Sequence, residues 1–223
     1  MVRVNRVDTG NTIYHVINRV NARMRVFDND KDYLAFEKAL AEAKELTGMR
    51  ILAYNIMPNH WHLVLYPQQD KDLSKFMTWL SMTHIQRWHV AHNTVGTGHL
   101  YQGRYKSFPV QKDAYFIQLC RYVERNPLRA KLVKKAQDWR WSSLWRREKG
   151  TRKQKELLSG WPIKPGRDYL KQVNSPEPKE LLENIRLSVN KGRPFGKDSW
   201  VEKIVEKFNL KSTLNSVGRP RKV

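Results

Sequence analysis

The sequence predicts an α+β protein: a ferredoxin-like β-α-β-β-α-β sheet-and-helix core with a small helical C-terminal module. Three observations predict it. Strand-like runs of β-branched and aromatic residues recur through the first half of the chain. Two longer segments with helical start and stop signals separate the outer runs from the inner ones. The two inner runs are joined only by Pro58-Asn59, a turn pair.

Taken in order, Thr12 to Asn18 (TIYHVIN) alternates apolar and polar residues and reads as the first strand. Asp30 to Thr47 reads as a helix, with aspartates at its start, Gly48 as a stop, and Leu34, Phe36, Leu40, Ala43 and Leu46 as its apolar positions. Arg50 to Met57 and His60 to Tyr66 form the hairpin. A second helix runs from Asp72 to about His92 and turns Leu73, Phe76, Leu80 and Ile85 inward. Gly96 to Gly103 is a loop, Tyr105 to Val110 the last strand, and Asp113 caps a third helix that ends at Asn126-Pro127. The two core helices are expected on one face of an antiparallel sheet.

After Val133 the composition changes. The domain reading is a core over 1–133, a basic connecting segment over 134–178 that carries Trp139, Trp141 and Trp145, and a small helical module over 179–223. Its helices are expected near Lys179 to Asn190 and Ser199 to Phe208, ahead of a basic tail.

Lys and Arg outnumber Asp and Glu by 42 to 21, a formal charge of +21, which is the footprint of a polyanion binder. Nucleic acid is the expected partner. A membrane is not, because no stretch approaches the ~18 apolar residues of a span and no cationic helix shows a clean apolar face. Eight Trp and nine Tyr suit single strands, whose unpaired bases stack on aromatic faces, although most of these rings belong to the core. Cys120 is the only cysteine, which excludes an internal disulfide and a multi-cysteine zinc site and leaves a small buried hydrophobe. With no apolar signal region at the start, the chain is expected in the cytoplasm.

His60 and His62 are one residue apart on a strand, so a period of two projects both imidazoles from the same face, where they can share a metal ion. Two exposed strand histidines would look the same. Tyr115 lies in the first turn of the third helix, where backbone amides and the helix dipole favour a phosphate. A phenol of pKa about 10 is a weak nucleophile at neutral pH and needs a metal or base beside it. Tyr122, further along, reads as a packing residue. Gln118, one turn beyond Tyr115, is the nearest candidate for a third ligand, and imidazole plus amide oxygen suits Mn2+ or Mg2+.

These residues together resemble the REP-associated tyrosine transposases, a branch of the single-tyrosine HUH transposase superfamily. The match is carried by YHVINR at Tyr14 to Arg19, AYNIMPNHWHLVLYP at Ala53 to Pro67, GHLYQGRYKSFPVQKDAYFIQLCRYVERNPLRAKLV at Gly98 to Val133, and GRPFGKDSWVEKIVEKFNL at Gly192 to Leu210. The resemblance implies a metal-dependent single-stranded DNA endonuclease and strand transferase that acts at palindromic hairpin repeats through a 5'-phosphotyrosine, as a monomer or homodimer. It implies His60 and His62 as metal ligands and Tyr115 as the attacking tyrosine. Two positions depart from the pattern: Val20 stands where glycine is common after the first-strand arginine, and Leu119 lies four residues after Tyr115, where a ligand can occur. The competing functions are a catalytically idle hairpin binder and a metal-dependent hydrolase that uses water.

Candidate DNA contacts are Arg19 at the end of the first strand, Arg104, Tyr105 and Lys106 beside the last strand, and the stripe Arg121, Arg125 and Arg129 on the third helix. Plain solvation explains the stripe equally well. Arg219 and Arg221 lie in a Gly-Arg-Pro-Arg tail similar to the core of a minor-groove AT-hook. His84, His89, His92 and His99 read mainly as solvated, and His15 is unassigned.

Overall fold

A computed structural model describes residues 6–215. The tail candidates Arg219 and Arg221 lie outside the described residues. The core runs β1 Ile13–Arg19, α1 Asp30–Thr47, β2 Arg50–Met57, β3 His60–Tyr66, α2 Asp72–Ala91, β4 Lys106–Val110 and α3 Ala114–Glu124. Beyond it come α4 Asn126–Arg129, α5 Ser143–Lys149, α6 Arg152–Lys155, α7 Tyr169–Asn174, α8 Lys179–Lys191 and α9 Asp198–Lys207. The strands form one sheet in the order β2-β3-β1-β4 with every pairing antiparallel, as the ferredoxin-like reading requires.

Local chemistry sets the helix ends. Asn29 accepts from the backbone of Lys31 and Asp32 while Asp32 reaches back to the Asn29 amide, a reciprocal cap that starts α1, and Gly48 closes it at φ 66°. The buried stripe of α1 is Tyr33, Phe36, Ala39, Leu40 and Ala43. Leu34 and Leu46, expected inward, are 49% and 65% exposed, because they lie off that stripe.

Strand alternation divides the sheet. Tyr14, Val16, Trp61, Leu63 and Leu65 join the core that includes Phe36 and Leu40 of α1 and Phe76 and Leu80 of α2. Ile13, Val64, Phe108 and Val110 join Phe116, Leu119, Cys120 and Val123 of α3 in a second core on the opposite face. His84, read as solvated, is buried: it stacks on Phe27 at 5.4 Å, and its Nδ1 lies 2.7 Å from the Tyr101 hydroxyl, which accepts from Trp61 Nε1. A helical surface histidine and a buried one look alike in sequence until the ring packed across from it is known.

Both outer strands are covered by later parts of the chain. Along β2, Ile56 N donates to Trp141 O, Ser159 N to Ile51 O, Tyr54 N to Ser143 Oγ, and Trp161 Nε1 to Leu52 O. Along β4, Phe195 N donates to Pro109 O and Gln111 N to Phe195 O. Residues 134–178 therefore form part of the core packing: Trp141 stacks on Tyr33 at 4.6 Å, and Glu124, with no exposed surface, accepts from Ser143 Oγ, Tyr169 Oη and Arg147 Nη1.

Candidate active site

The α3-facing side of the sheet carries a run of imidazoles where β1 and β3 lie side by side. His60 pairs across the sheet with Arg19 and His62 with Ile17, so His60, His62 and His15 all project from this face. The His60 and His62 rings are 5.1 Å apart and nearly perpendicular. His60 Nδ1 lies 2.7 Å from Asn59 Oδ1, and His62 Nδ1 lies 2.9 Å from His15 Nε2. Burial first, then the guanidiniums of Arg19 and Arg129, pushes the pKa of His60 down to about 4. Burial also holds His62 well below the ordinary imidazole value, with the other histidines and the same two arginines adding to the effect. Both imidazoles are neutral at pH 7, the form that ligates metals.

The helix opposite supplies the rest. Asn55 Nδ2 donates to Val123 O at 2.7 Å, which anchors the C-terminal half of α3 above the strands. The Tyr122 ring then lies 6.0 Å from the His62 ring, edge to face, and the Arg129 guanidinium lies over the Tyr122 ring at 4.3 Å. One helical turn beyond Tyr122, Asn126 Nδ2 donates to His62 Nε2 at 2.7 Å. Among the described residues no group of three or more His, Cys, Asp or Glu is placed to hold a metal. The donor set that fits a divalent ion is thus the two histidines completed by the Asn126 amide, whose oxygen and nitrogen exchange by a flip.

Tyr115 and Gln118 do not join this cluster. Tyr115 packs edge to face on Phe195 at 5.2 Å, and its backbone N–H, the amide that was to meet a phosphate, donates to the Asp113 cap at 2.8 Å. Gln118 makes no hydrogen bond to either histidine. Tyr122, read as a packing residue, and Asn126, not singled out, are the residues of α3 and α4 that face the histidines; their spacing of four was visible in the sequence, as was the His15 alternation with Ile13 and Ile17.

The basic stripe on α3 is engaged internally rather than open. Arg121 donates to Ser175 O and Pro176 O, Arg125 donates to Val173 O, and Arg125 and Arg129 both pair with Glu177, whose side chain is 2% exposed. Tyr105 is also unavailable for base stacking: it is buried, with Arg6 4.0 Å above its ring. Arg19, Arg104 and Lys106 are exposed and line a cleft of about 290 Å³ with Asn18, Gln102 and Asn190, continuous in position with His60 across the Arg19 pair.

The buried histidines make stability depend on pH. Burial pushes His15 and His84 down to about 3 from 6.5, so between those values the unfolded chain binds protons that the folded one refuses. Stability is therefore full above pH 6.5 and falls as pH drops, by roughly 1 kcal/mol per pH unit for each such histidine. Urea midpoints are expected to fall between pH 7 and pH 5, and equal midpoints would contradict this account.

The sheet order, paired histidines and opposed tyrosine-bearing helix define an α+β protein of ferredoxin-like topology built around a histidine-pair centre. A model of the IS200-like transposases matches residues 8–126, more than half the chain, and the chain belongs to that family of DNA-processing enzymes. No curated protein matches it in sequence. Among solved structures it is similar to a REP-associated tyrosine transposase bound to a REP hairpin, at 21% identity and a TM-score of 0.54, over 66% of this chain and 84% of that one. A candidate transposase from Deinococcus radiodurans R1 matches at 22% identity and a TM-score of 0.39, over 55% and 96% of the two chains. Among the described residues, no helix is long and apolar enough to cross a membrane.

Proposed function

We propose that the chain is a metal-dependent single-stranded DNA endonuclease and strand transferase acting at palindromic hairpins, with Tyr122, in place of Tyr115, as nucleophile. The observation that carries this reading is the placement of the Tyr122 ring 6.0 Å from His62, with Asn126 one turn further on and bonded to His62 Nε2. A hairpin substrate is supported by the REP hairpin bound to the structural neighbour and by the net charge of +21.

His60, His62 and Asn126 would hold Mg2+ or Mn2+, which when bound polarises a non-bridging oxygen of the scissile phosphate. Arg19, exposed beside His60, draws that phosphate in and offsets its charge. Tyr122 Oη forms the new P–O bond as the bond to the upstream O3' breaks. The phenol proton passes to solvent, and the leaving O3' takes a proton from solvent to depart as a 3'-hydroxyl. The phosphotyrosine conserves a phosphodiester, so the 3'-hydroxyl of another strand reverses the step without ATP.

Trypsin separates the two candidate tyrosines, since cleavage after Lys112, Arg121 and Arg125 places Tyr115 in DAYFIQLCR and Tyr122 in YVER. Incubation with labelled hairpin oligonucleotides and Mn2+, digestion and mass spectrometry are expected to find the nucleotide on YVER, with no adduct when the metal is chelated. Label on DAYFIQLCR would return the role to Tyr115. Cleavage without adduct would favour a water-using hydrolase, and hairpin binding with neither would leave an idle binder.

A further inference from the structure

The proposed centre leaves one wholly buried imidazole without a role. His15 is 0% exposed, its ring 5.1 Å from that of His62 and 4.9 Å from that of Phe108. Its Nε2 faces His62 Nδ1 at 2.9 Å, and its Nδ1 meets no partner. An unpartnered nitrogen in a dry core is destabilising, and a leucine would fill the same space without that cost.

One proton lies between the two facing nitrogens. If His15 Nε2 carries it, a neutral His62 must hold its own proton on Nε2, which then has no lone pair for a cation. If His62 Nδ1 carries it, His62 Nε2 is left as an acceptor. A ligand role for His62 Nε2 requires the second arrangement.

We propose that His15 is a positioning residue of the metal centre: its Nε2 accepts the Nδ1–H of His62, fixing that ring and directing the His62 Nε2 lone pair toward the cation. The inference rests on the reading of His60, His62 and Asn126 as ligands. His60 has the equivalent support from Asn59 Oδ1 at 2.7 Å, so each ligand is backed by an acceptor on its far nitrogen, as metal-bound histidines usually are. A carboxylate is the commoner acceptor, but between β1, β3 and α3 it would be a buried charge. A neutral imidazole takes the same hydrogen bond without one.

The test is a Mn2+ titration of the full chain, with the free ion followed by electron paramagnetic resonance in the absence of DNA. His15→Leu removes the acceptor and keeps apolar volume, whereas His15→Gln offers Oε1 in its place. His15→Leu is expected to weaken Mn2+ binding about 10- to 100-fold. It should still melt cooperatively and bind a hairpin oligonucleotide without metal as the wild type does, and His15→Gln should recover most of the loss. A leucine variant that binds Mn2+ as tightly as wild type overturns the inference and leaves the metal reading standing. Wild type binding Mn2+ no better than the His60→Ala/His62→Ala double variant removes the metal reading and the inference with it. If the leucine variant does not fold, the wild-type tautomer decides. Long-range spectra of 15N-histidine protein should show His62 protonated on Nδ1, and protonation on Nε2 overturns the proposal.

Discussion

Replacing Tyr122 by phenylalanine is expected to abolish covalent attachment to hairpin DNA, with strand cleavage falling about 10⁴-fold or more, as loss of a nucleophile typically does. Tyr115→Phe is expected to leave the rate within a few-fold of wild type. The contrast follows from topology. β4 enters at Lys106 beside Ile17 and leaves at Val110 beside Ile13, and α3 starts after a short turn at that second end. His62 pairs with Ile17, at the first end. From His62 to Leu65 the strand advances about 10 Å, and from Tyr115 to Tyr122 the helix returns about 10 Å. The tyrosine at the helix start thus stands over the wrong end of the sheet, and the one two turns later stands over the histidines. Both variants keep the ring, so packing is conserved, and single-turnover gel assays with matched melting curves would separate chemistry from folding. A Tyr122→Phe protein that still forms adduct would end this assignment.

The largest expected effect on stability lies two residues further along α3. Glu124 is wholly buried and takes hydrogen bonds from Ser143, Tyr169 and Arg147. Glu124→Ala strands the buried Tyr169 hydroxyl and removes the carboxylate that Ser143 and Arg147 share, which costs about 3–5 kcal/mol. For a chain of this size that corresponds to a fall in melting temperature on the order of 10 °C. Because the network ties α5 and α7 to α3, the loss is expected in one cooperative transition when followed by circular dichroism. A fall of under about 3 °C would mean that these partners find other acceptors or water.

Much of this architecture was legible in the sequence because it depends on local signals. The hairpin Arg50–Met57 and His60–Tyr66 follows from alternation and one turn pair, and α1 from the aspartates at its start and Gly48 after its end. The histidine pair followed from strand periodicity. What was not legible depends on distant partners. Arg121, Arg125 and Arg129 look like a phosphate-binding stripe until Glu177 and the carbonyls of 173–176 are placed against them. Tyr115 looked suited to a phosphate because a helix start is attractive to anions, but Asp113 already occupies its amide. The direction of α3 across the sheet, on which the proposal of Tyr122 rests, depends on strand register.

The covers on β2 and β4 have a consequence for how the chain is made. The sheet is specified by residues up to Val110, yet its last open edge is closed by Phe195, about 85 residues later. At about 5–20 residues per second, a nascent chain carries an unpaired strand edge for roughly 4 to 17 seconds before the closing segment has been synthesised. Slower synthesis is therefore expected to lengthen the interval in which that edge can pair with another chain.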